Sequence, residues 1–359
     1  MTAMGERTVT GPPGIRIGKG LGDVSEETLG FFKQIGVESV WMPSRLNERR
    51  GTAPTVRPLV PPTQRKPRGD QPPAWHREEL ELIRARVDAF GLVAEAMDLP
   101  LSGRIVMGLL GAEEDLETVC ACVTAAASVG IGVLTYNFTA LRASEGYGAR
   151  RGEGRGGADL RDFDVSRIAD LPPLETVGEH SEAAMWERLT VFLERVVPVA
   201  EEAGVRLAMH PNDPPVPMFR GVAQPVSDLE GMRRLVATVD SPSNTLFLDT
   251  GVLTELGENA AKAIRYFGSR DRIGIVHFRN VRTEAPRERY VETFLDDGDC
   301  DTADCMRAFH EVGYDGIVDP DHTPGITDDT PDTRIGWAFA VGQLIALREA
   351  GRRQRAEGS

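Results

Sequence analysis

Short apolar runs alternate with longer segments of helical periodicity along most of the chain. Eight of these runs have the length and composition of strands: residues 15–17, 38–42, 92–99, 132–138, 205–210, 245–249, 273–278 and 316–319. Several follow a glycine that ends a helix, as in the phrases IGVESV, AGVRLAMH and VGYDGIVDP. Apolar runs without polar interruptions are typical of parallel strands that are buried on both faces. The pattern therefore predicts an α/β protein with a parallel sheet.

The number of repeats narrows the fold class. Eight strand–helix units in a chain of 359 residues predict a single (β/α)8 TIM barrel over residues 1–350. A doubly wound open sheet is the alternative, but the sequence has no glycine-rich dinucleotide fingerprint to support it. The last residues, 351–359, are expected to form a flexible C-terminal tail.

Three connections are too long to be simple turns. Insertions at about 44–78 and 140–185 follow the second and fourth strands, and charged residues 280–300 follow the seventh. A barrel places the loops that follow its strands around the active site, so we expect lids or substrate collars there. For the glycine- and arginine-rich tract in the second insertion, disorder is an equal alternative.

Charge and composition exclude some classes of function. The net charge of −14, from 55 acidic and 41 basic residues, argues against a nucleic-acid binder. The longest apolar runs fall short of the ~20 residues of a membrane span, and the N-terminus has no signal-peptide pattern, so we expect a cytoplasmic protein without a membrane partner. Four cysteines without disulfide or zinc spacing are interpreted as free thiols. The basic stretch 45–70 is either a solvated loop or attracts an anionic small molecule.

Polar residues lie at the ends of four successive predicted strands. His210 ends RLAMH, Asp249 ends TLFLD, His277 lies in GIVHF, and Asp321 follows IVDP. Because the carboxyl ends of barrel strands meet at the catalytic mouth, we expect these side chains to lie together. Two imidazoles and two carboxylates suit Mn²⁺, Mg²⁺, Co²⁺, Fe²⁺ or Zn²⁺. The sequence therefore predicts one divalent-cation site with open positions for substrate oxygens.

Further residues near these strand ends are candidates for binding substrate. Arg279 and Asn280 directly follow GIVHF, and an arginine there pairs with a carboxylate through two hydrogen bonds; a salt bridge within the barrel is the alternative. Asn137 ends the fourth strand, and Asn212 lies in the proline-rich phrase HPNDPP. His322 has a pKa range suited to proton transfer, and its alternative role is to support a neighbouring ligand.

The phrases AMHPNDPP, DTG, VHFRNV, GDCD and DPDH occur in the order found in D-mannonate dehydratases, and the chain resembles that family over most of its length. The family has a xylose-isomerase-like barrel and converts a C6 sugar acid into a 2-keto-3-deoxy acid with a Mn²⁺-type ion. By this resemblance, His210, His277 and Asp321 match metal ligands, and His322 matches a residue assigned to acid–base work. The resemblance also favours Mn²⁺ among the possible ions.

The chain departs from the family pattern at two candidate site residues, and it also lacks the paired histidines expected after the second strand, where it reads WMPSRLNERR. Asp249 stands where the family has a cysteine ligand, and an aspartate still binds a divalent cation. Trp337 stands where the family has a catalytic tyrosine, and an indole N–H is a donor only. We keep Trp337 as a candidate substrate contact and expect the metal platform to be intact, with an altered acid–base shell.

These observations predict a divalent-metal-dependent lyase that dehydrates D-mannonate or a related polyhydroxy acid, with Asp321 and His322 as catalytic residues. The alternative is an isomerase or epimerase of sugars or sugar acids on the same barrel, including one in a specialised biosynthetic pathway, and Asp249 favours it. A non-catalytic binder is a third class. The expected partners are an anionic sugar-acid substrate and other copies of the chain in a homo-oligomer.

Overall fold

The computed structural model describes residues 14–43, 72–141 and 145–358, and side chains up to residue 354. Its strands are β1 (Arg16–Gly20), β2 (Ser39–Met42), β3 (Val93–Asp98), β4 (Val133–Tyr136), β5 (Tyr147–Arg150), β6 (Leu160–Asp164), β7 (Arg206–Met209), β8 (Met218–Phe219), β9 (Val222–Ala223), β10 (Asn244–Asp249), β11 (Ile273–His277), β12 (Asn280–Ala285), β13 (Arg289–Thr293) and β14 (Ile317–Asp319). The order β1-β14-β11-β10-β7-β4-β3-β2 closes a parallel barrel. Each of the eight predicted strands overlaps one of these barrel strands, so the predicted TIM-barrel fold is confirmed.

Helices surround the barrel, and several of them begin at side chains that accept hydrogen bonds from the first turn. They are α1 (Glu26–Gln34), α2 (Arg77–Ala89), α3 (Gly103–Met107), α4 (Ala112–Ser128), α5 (Glu182–Glu202), α6 (Leu229–Thr238), α7 (Thr250–Glu255), α8 (Ala260–Gly268), α9 (Thr302–Glu311) and α10 (Arg334–Gly358). Ser181 caps α5 and Asn259 caps α8 through their side-chain oxygens. Helix α10 continues to Gly358, and the flexibility predicted for residues 351–359 stays a prediction. Within the described residues, no helix is both long and apolar enough to cross a membrane.

Apolar side chains fill the interior of the barrel. Ala96, Ala208, Phe247, Ile275 and Ile317 form this inner cluster, and a larger cluster lies between the strands and the helices. Fully burying an aliphatic or aromatic side chain of this size contributes about 1.5–3 kcal/mol. The packed interior therefore leaves the carboxyl ends of the strands as the place for a site.

A second sheet joins two of the predicted insertions. Its strands are antiparallel in the order β12-β13-β6-β5, so the chain between β4 and α5 pairs with the hairpin that follows β11. The glycine- and arginine-rich tract contributes β5 and a 3₁₀ turn at Arg155–Gly157. Of the insertion predicted at 44–78, residues 44–71 and their basic stretch lie outside the described residues. A lid or collar role for these segments stays a prediction.

A buried ion pair links the first three barrel strands. The Arg16 guanidinium donates two hydrogen bonds to the Glu95 carboxylate, at 2.6 and 2.7 Å, and Ser39 donates a third at 2.7 Å. The Arg16 and Glu95 side chains are only 5% and 8% exposed. Water does not reach this buried pair, so removal of one partner leaves the charge of the other poorly compensated.

We predict that Glu95→Ala lowers the free energy of unfolding by about 3–5 kcal/mol, because it removes the buried carboxylate that accepts two hydrogen bonds from the Arg16 guanidinium. Urea unfolding followed by circular dichroism measures the change. Glu81→Ala is the matched control: it removes an exposed pair with Arg77 on α2, and we expect a change of about 1 kcal/mol or less. Equal effects of the two substitutions would contradict the prediction.

Candidate metal centre

The predicted ligands meet at one end of the barrel. Asp249 is the last residue of β10 and pairs in register with His277, the last residue of β11. His277 in turn pairs with Asp319 at the end of β14. His210 directly follows β7, and Asp321 lies two residues beyond β14. The barrel therefore presents these side chains at nearly the same level, as the strand-end argument predicts.

Three of the predicted ligand atoms form a tight group. Asp249 Oδ2 lies 3.3 Å from His210 Nε2 and 3.7 Å from His277 Nδ1, and the two imidazole nitrogens are 3.2 Å apart. Ligand atoms that are each about 2.1 Å from a cation are about 3–3.5 Å from one another, so the group suits one divalent ion. The Phe247 ring lies 4.0 Å from the His277 ring and 5.1 Å from the His210 ring, and it forms an apolar floor that holds both imidazoles.

Asp321 belongs to a second group that shares His277. His277 Nε2 lies 3.5 Å from Asp321 Oδ1 and 3.6 Å from Asp319 Oδ2. The predicted quartet and Asp319 thus form two triplets that share His277, one at each of its ring nitrogens. Asp319 was absent from the predicted ligands. Asp319 nevertheless fits the same strand-end pattern, because IVDPD places one aspartate at the end of the strand and another two residues later.

The composition of the centre fits a cation. Among the described residues, six carboxylates and three basic side chains are linked by ion pairs and contacts with histidines. The carboxylates are Asp213, Asp249, Glu255, Glu292, Asp319 and Asp321, and the cations are Lys19, Arg161 and Arg279. His277 Nε2 is buried without a hydrogen-bond partner in the described part of the chain. An excess of negative charge beside an unpartnered imidazole nitrogen is the environment in which a divalent ion is held.

Arg279 lies below the ligands rather than at the open mouth. Its Nε donates to Asp249 Oδ2 at 2.9 Å, its Nη1 to Glu255 Oε1 at 2.6 Å and its Nη2 to Asp213 Oδ2 at 3.0 Å. The side chain is 2% exposed. Protein carboxylates therefore occupy all three guanidinium nitrogens. These contacts match the alternative interpretation of Arg279, which is a salt bridge within the barrel. Gly251 makes this possible, since a Cβ there would lie 2.6 Å from Arg279 Cγ.

Arg279 lowers the pKa of both Asp249 and Glu255, yet the net shifts of these two carboxyls are opposite. Burial raises the pKa of the Asp249 carboxyl, but Arg279 and the two imidazoles outweigh burial and hold this pKa well below its usual range. Burial also raises the pKa of Glu255, and there neighbouring carboxylates add to the rise, so this pKa lies well above its usual range despite Arg279. Asp249 is therefore kept in the anionic form that binds metal, whereas Glu255 favours its protonated form.

His322 bridges two carboxylates at the edge of the centre. Its Nε2 lies 3.2 Å from Asp321 Oδ2 and its Nδ1 lies 3.1 Å from Glu292 Oε2. Burial lowers the pKa of His322, but these two carboxylates outweigh burial and raise it above its usual value. The side chain is 26% exposed. His322 is therefore partly accessible, and it stays protonated to a higher pH than an ordinary histidine does.

Two of the predicted substrate contacts have structural partners. The Asn280 amide donates to the Cys300 carbonyl and accepts from the Cys300 N–H, and it thereby fixes the loop before α9. Asn212 accepts from the Val226 N–H at 2.9 Å and is 1% exposed. Both side chains therefore stabilise loops through hydrogen bonds to the backbone. Asn137 lies directly after β4, half-buried, and its substrate role stays a prediction.

Trp337 is connected to the centre through a lysine that the sequence did not single out. Lys19 Nζ lies 3.8 Å from the centre of the Trp337 ring and donates to Asp319 Oδ1 at 3.1 Å and to the Pro320 carbonyl at 2.9 Å. Trp337 is 5% exposed. Its ring thus covers the buried ion pair of Lys19 and Asp319, while direct contact with substrate stays a prediction.

Comparisons with known proteins agree with this picture. A family model described as D-mannonate dehydratase (UxuA) matches residues 159–351. Mannonate dehydratase of Thermotoga neapolitana is 31% identical in an alignment of 287 residues that covers 69% of this chain and 78% of the relative. The crystal structure of mannonate dehydratase from Streptococcus suis serotype2 superposes with a TM-score of 0.78 at 22% identity, over 96% of this chain and 95% of that one. A xylose isomerase domain protein from Alicyclobacillus acidocaldarius gives 0.58 at 14% identity, over 94% and 99%, so the predicted xylose-isomerase-like fold is confirmed.

We predict that Arg279→Met lowers the free energy of unfolding by about 3–5 kcal/mol, because the buried Asp249 and Glu255 and the half-buried Asp213 lose their shared cation. Urea unfolding measures the effect. Arg282→Met is the control: this nearby arginine is 50% exposed and pairs with Asp297, and we expect a change of about 1 kcal/mol or less. An Arg279→Met protein of wild-type stability with only a raised KM would instead support the substrate-binding role.

Proposed function

The chain belongs to the D-mannonate dehydratase family and is a lyase, and we propose that it removes water from D-mannonate, or from a related sugar acid, with the help of one divalent cation. The product would be a 2-keto-3-deoxy acid. The observation that carries this proposal is the group of His210, Asp249 and His277 at the barrel mouth, with Asp321 and His322 beside it.

We infer that His210 Nε2, Asp249 Oδ2 and a ring nitrogen of His277 hold the cation and that Asp321 supplies a fourth ligand. A divalent cation bound there would act as a Lewis acid toward a hydroxyl or carboxylate oxygen of the substrate. Oxygen and imidazole ligands without a thiolate favour Mn²⁺ or another hard-to-borderline ion, and we propose Mn²⁺. Asp319 is engaged by Lys19, so we assign it to orienting His277.

Dehydration requires two proton movements. One proton passes from the carbon beside the substrate carboxylate to a carboxylate of the centre, and another is delivered to the hydroxyl group that departs from the next carbon as water. His322 suits the delivery, because Asp321 and Glu292 favour its protonated form and because it is partly accessible. Burial raises the pKa of Asp321, but His277, His322 and Arg279 outweigh burial and hold this pKa below its usual range. Asp321 is therefore a weak base, and we propose that it binds the cation and orients His322.

An isomerase or epimerase is the second candidate, and one observation favours it. The family tyrosine is replaced by Trp337, which is buried against Lys19 and cannot act as a general acid or base. Isomerisation needs no proton for a leaving group. It therefore makes fewer demands on the acid–base groups than dehydration does.

We predict that the metal-free chain converts D-mannonate only after Mn²⁺ is added, and that the product is lighter than the substrate by one water. Mass spectrometry measures the product, and NMR in D₂O follows proton exchange beside the carboxylate. A product of unchanged mass would select the isomerase. Failure to convert or exchange any hexonate, pentonate or keto sugar would select the non-catalytic binder.

We predict that Asp249→Ala reduces bound metal from about one ion per chain to a small fraction, because it removes one of four protein ligands. Elemental analysis of the purified protein measures the ratio, and circular dichroism checks the fold, since Asp249 also caps α7. Asp240→Ala is the control, because this carboxylate is 87% exposed and contacts Arg272 at the surface. Asp249→Cys should retain an ion and shift preference toward Zn²⁺. A wild-type metal ratio in Asp249→Ala would refute the four-ligand site.

A further inference from the structure

We propose that Arg161 binds the carboxylate of the sugar-acid substrate, the role for which the sequence singled out Arg279. The inference rests on the proposed function and adds a substrate-binding residue to it. Arg161 lies outside the barrel strands, on β6 of the antiparallel sheet, in the insertion that follows β4.

The register of this sheet turns Arg161 toward the metal centre. Arg161 pairs with Glu292 of β13, so the two side chains project from the same face of the sheet. Glu292 Oε1 accepts a hydrogen bond from Arg161 Nη1 at 2.7 Å, and Glu292 Oε2 lies 3.1 Å from His322 Nδ1. A single carboxylate thus separates Arg161 from the proposed proton donor.

The guanidinium of Arg161 is held in place but is not fully used. Its Cζ lies over the Tyr147 ring, 3.7 Å from the ring centre, and this cation–π contact holds the guanidinium in place. In the part of the chain that the structure describes, its only hydrogen bond is the one from Nη1 to Glu292. Nε and Nη2 are left to bind a carboxylate, whose two oxygens match the planar fork of an arginine.

Access distinguishes Arg161 from the other cations of the centre. Its side chain is 19% exposed, whereas those of Arg279 and Lys19 are 2% and 7% exposed and already engaged by carboxylates. The centre has more carboxylates than cations, so it repels an anion except where a positive charge is accessible. With its carboxylate on Arg161, a sugar acid would bring its next two carbons beside His322 and the cation site.

The test compares D-mannonate with its neutral amide, which has the same carbon skeleton but no charge. For Arg161→Gln we expect KM for D-mannonate to rise about 10- to 100-fold, the range of a hydrogen-bonded charge pair, with Ki for the amide unchanged. Arg161→Lys should give an intermediate KM, because it keeps the charge without the fork. A merely structural disturbance of Glu292 and His322 would weaken both ligands alike.

Arg150→Gln is the matched control. Arg150 lies on β5 of the same sheet but contacts Asp162 and Glu284, and we expect wild-type constants for both ligands. Parallel changes for acid and amide in Arg161→Gln, or no change for either, would overturn the inference. If the wild-type protein converts no hexonate, the proposed function fails by itself. Calorimetric affinities for D-mannonate and its amide then test Arg161 by the same comparison.

Discussion

The site depends on one buried guanidinium. Arg279 joins carboxylates from separate segments of the chain: Asp249 at the end of β10, Glu255 at the end of α7, and Asp213 in the HPNDPP loop. A carboxylate in such a buried place is costly without a compensating cation, and it would become protonated. By its contact at Asp249, Arg279 keeps a ligand anionic beside two imidazoles. The proposed cation site is therefore arranged by contacts within the protein itself.

The antiparallel sheet completes what the barrel begins. Its two halves are insertions that are far apart in sequence, and their pairing places Arg161 and Glu292 next to His322. Glu292 Oε1 also lies 3.9 Å from Arg279 Nη1, so this one carboxylate connects the two arginines. Their exposures differ, and we assign them different roles: Arg279 maintains the geometry of the ligands, and Arg161 meets the substrate.

The sequence predicts the elements of this fold better than the depth of its side chains. Apolar runs identify the eight barrel strands, and the strand-end argument brings His210, Asp249 and His277 together. The exposure of Arg279 does not follow from its position after a strand, because its burial depends on Asp213 and Glu255, which lie in other elements. Arg161 is missed for a related reason: β6 carries charged residues among apolar ones and is stabilised by a partner strand more than a hundred positions away.

Asp249 shows how one substitution relative to the family pattern changes several contacts together. A thiolate offers one ligand atom, whereas a carboxylate offers two oxygens that can serve different partners. Here Oδ1 accepts from the Val252 N–H at 2.9 Å and caps α7, while Oδ2 faces Arg279 and both imidazoles. The helix that Asp249 caps also supplies Glu255, a second partner of Arg279. The carboxylate therefore ties the start of α7, the guanidinium and the proposed ligand set into one unit, so the hard oxygen ligand and the buried arginine support each other.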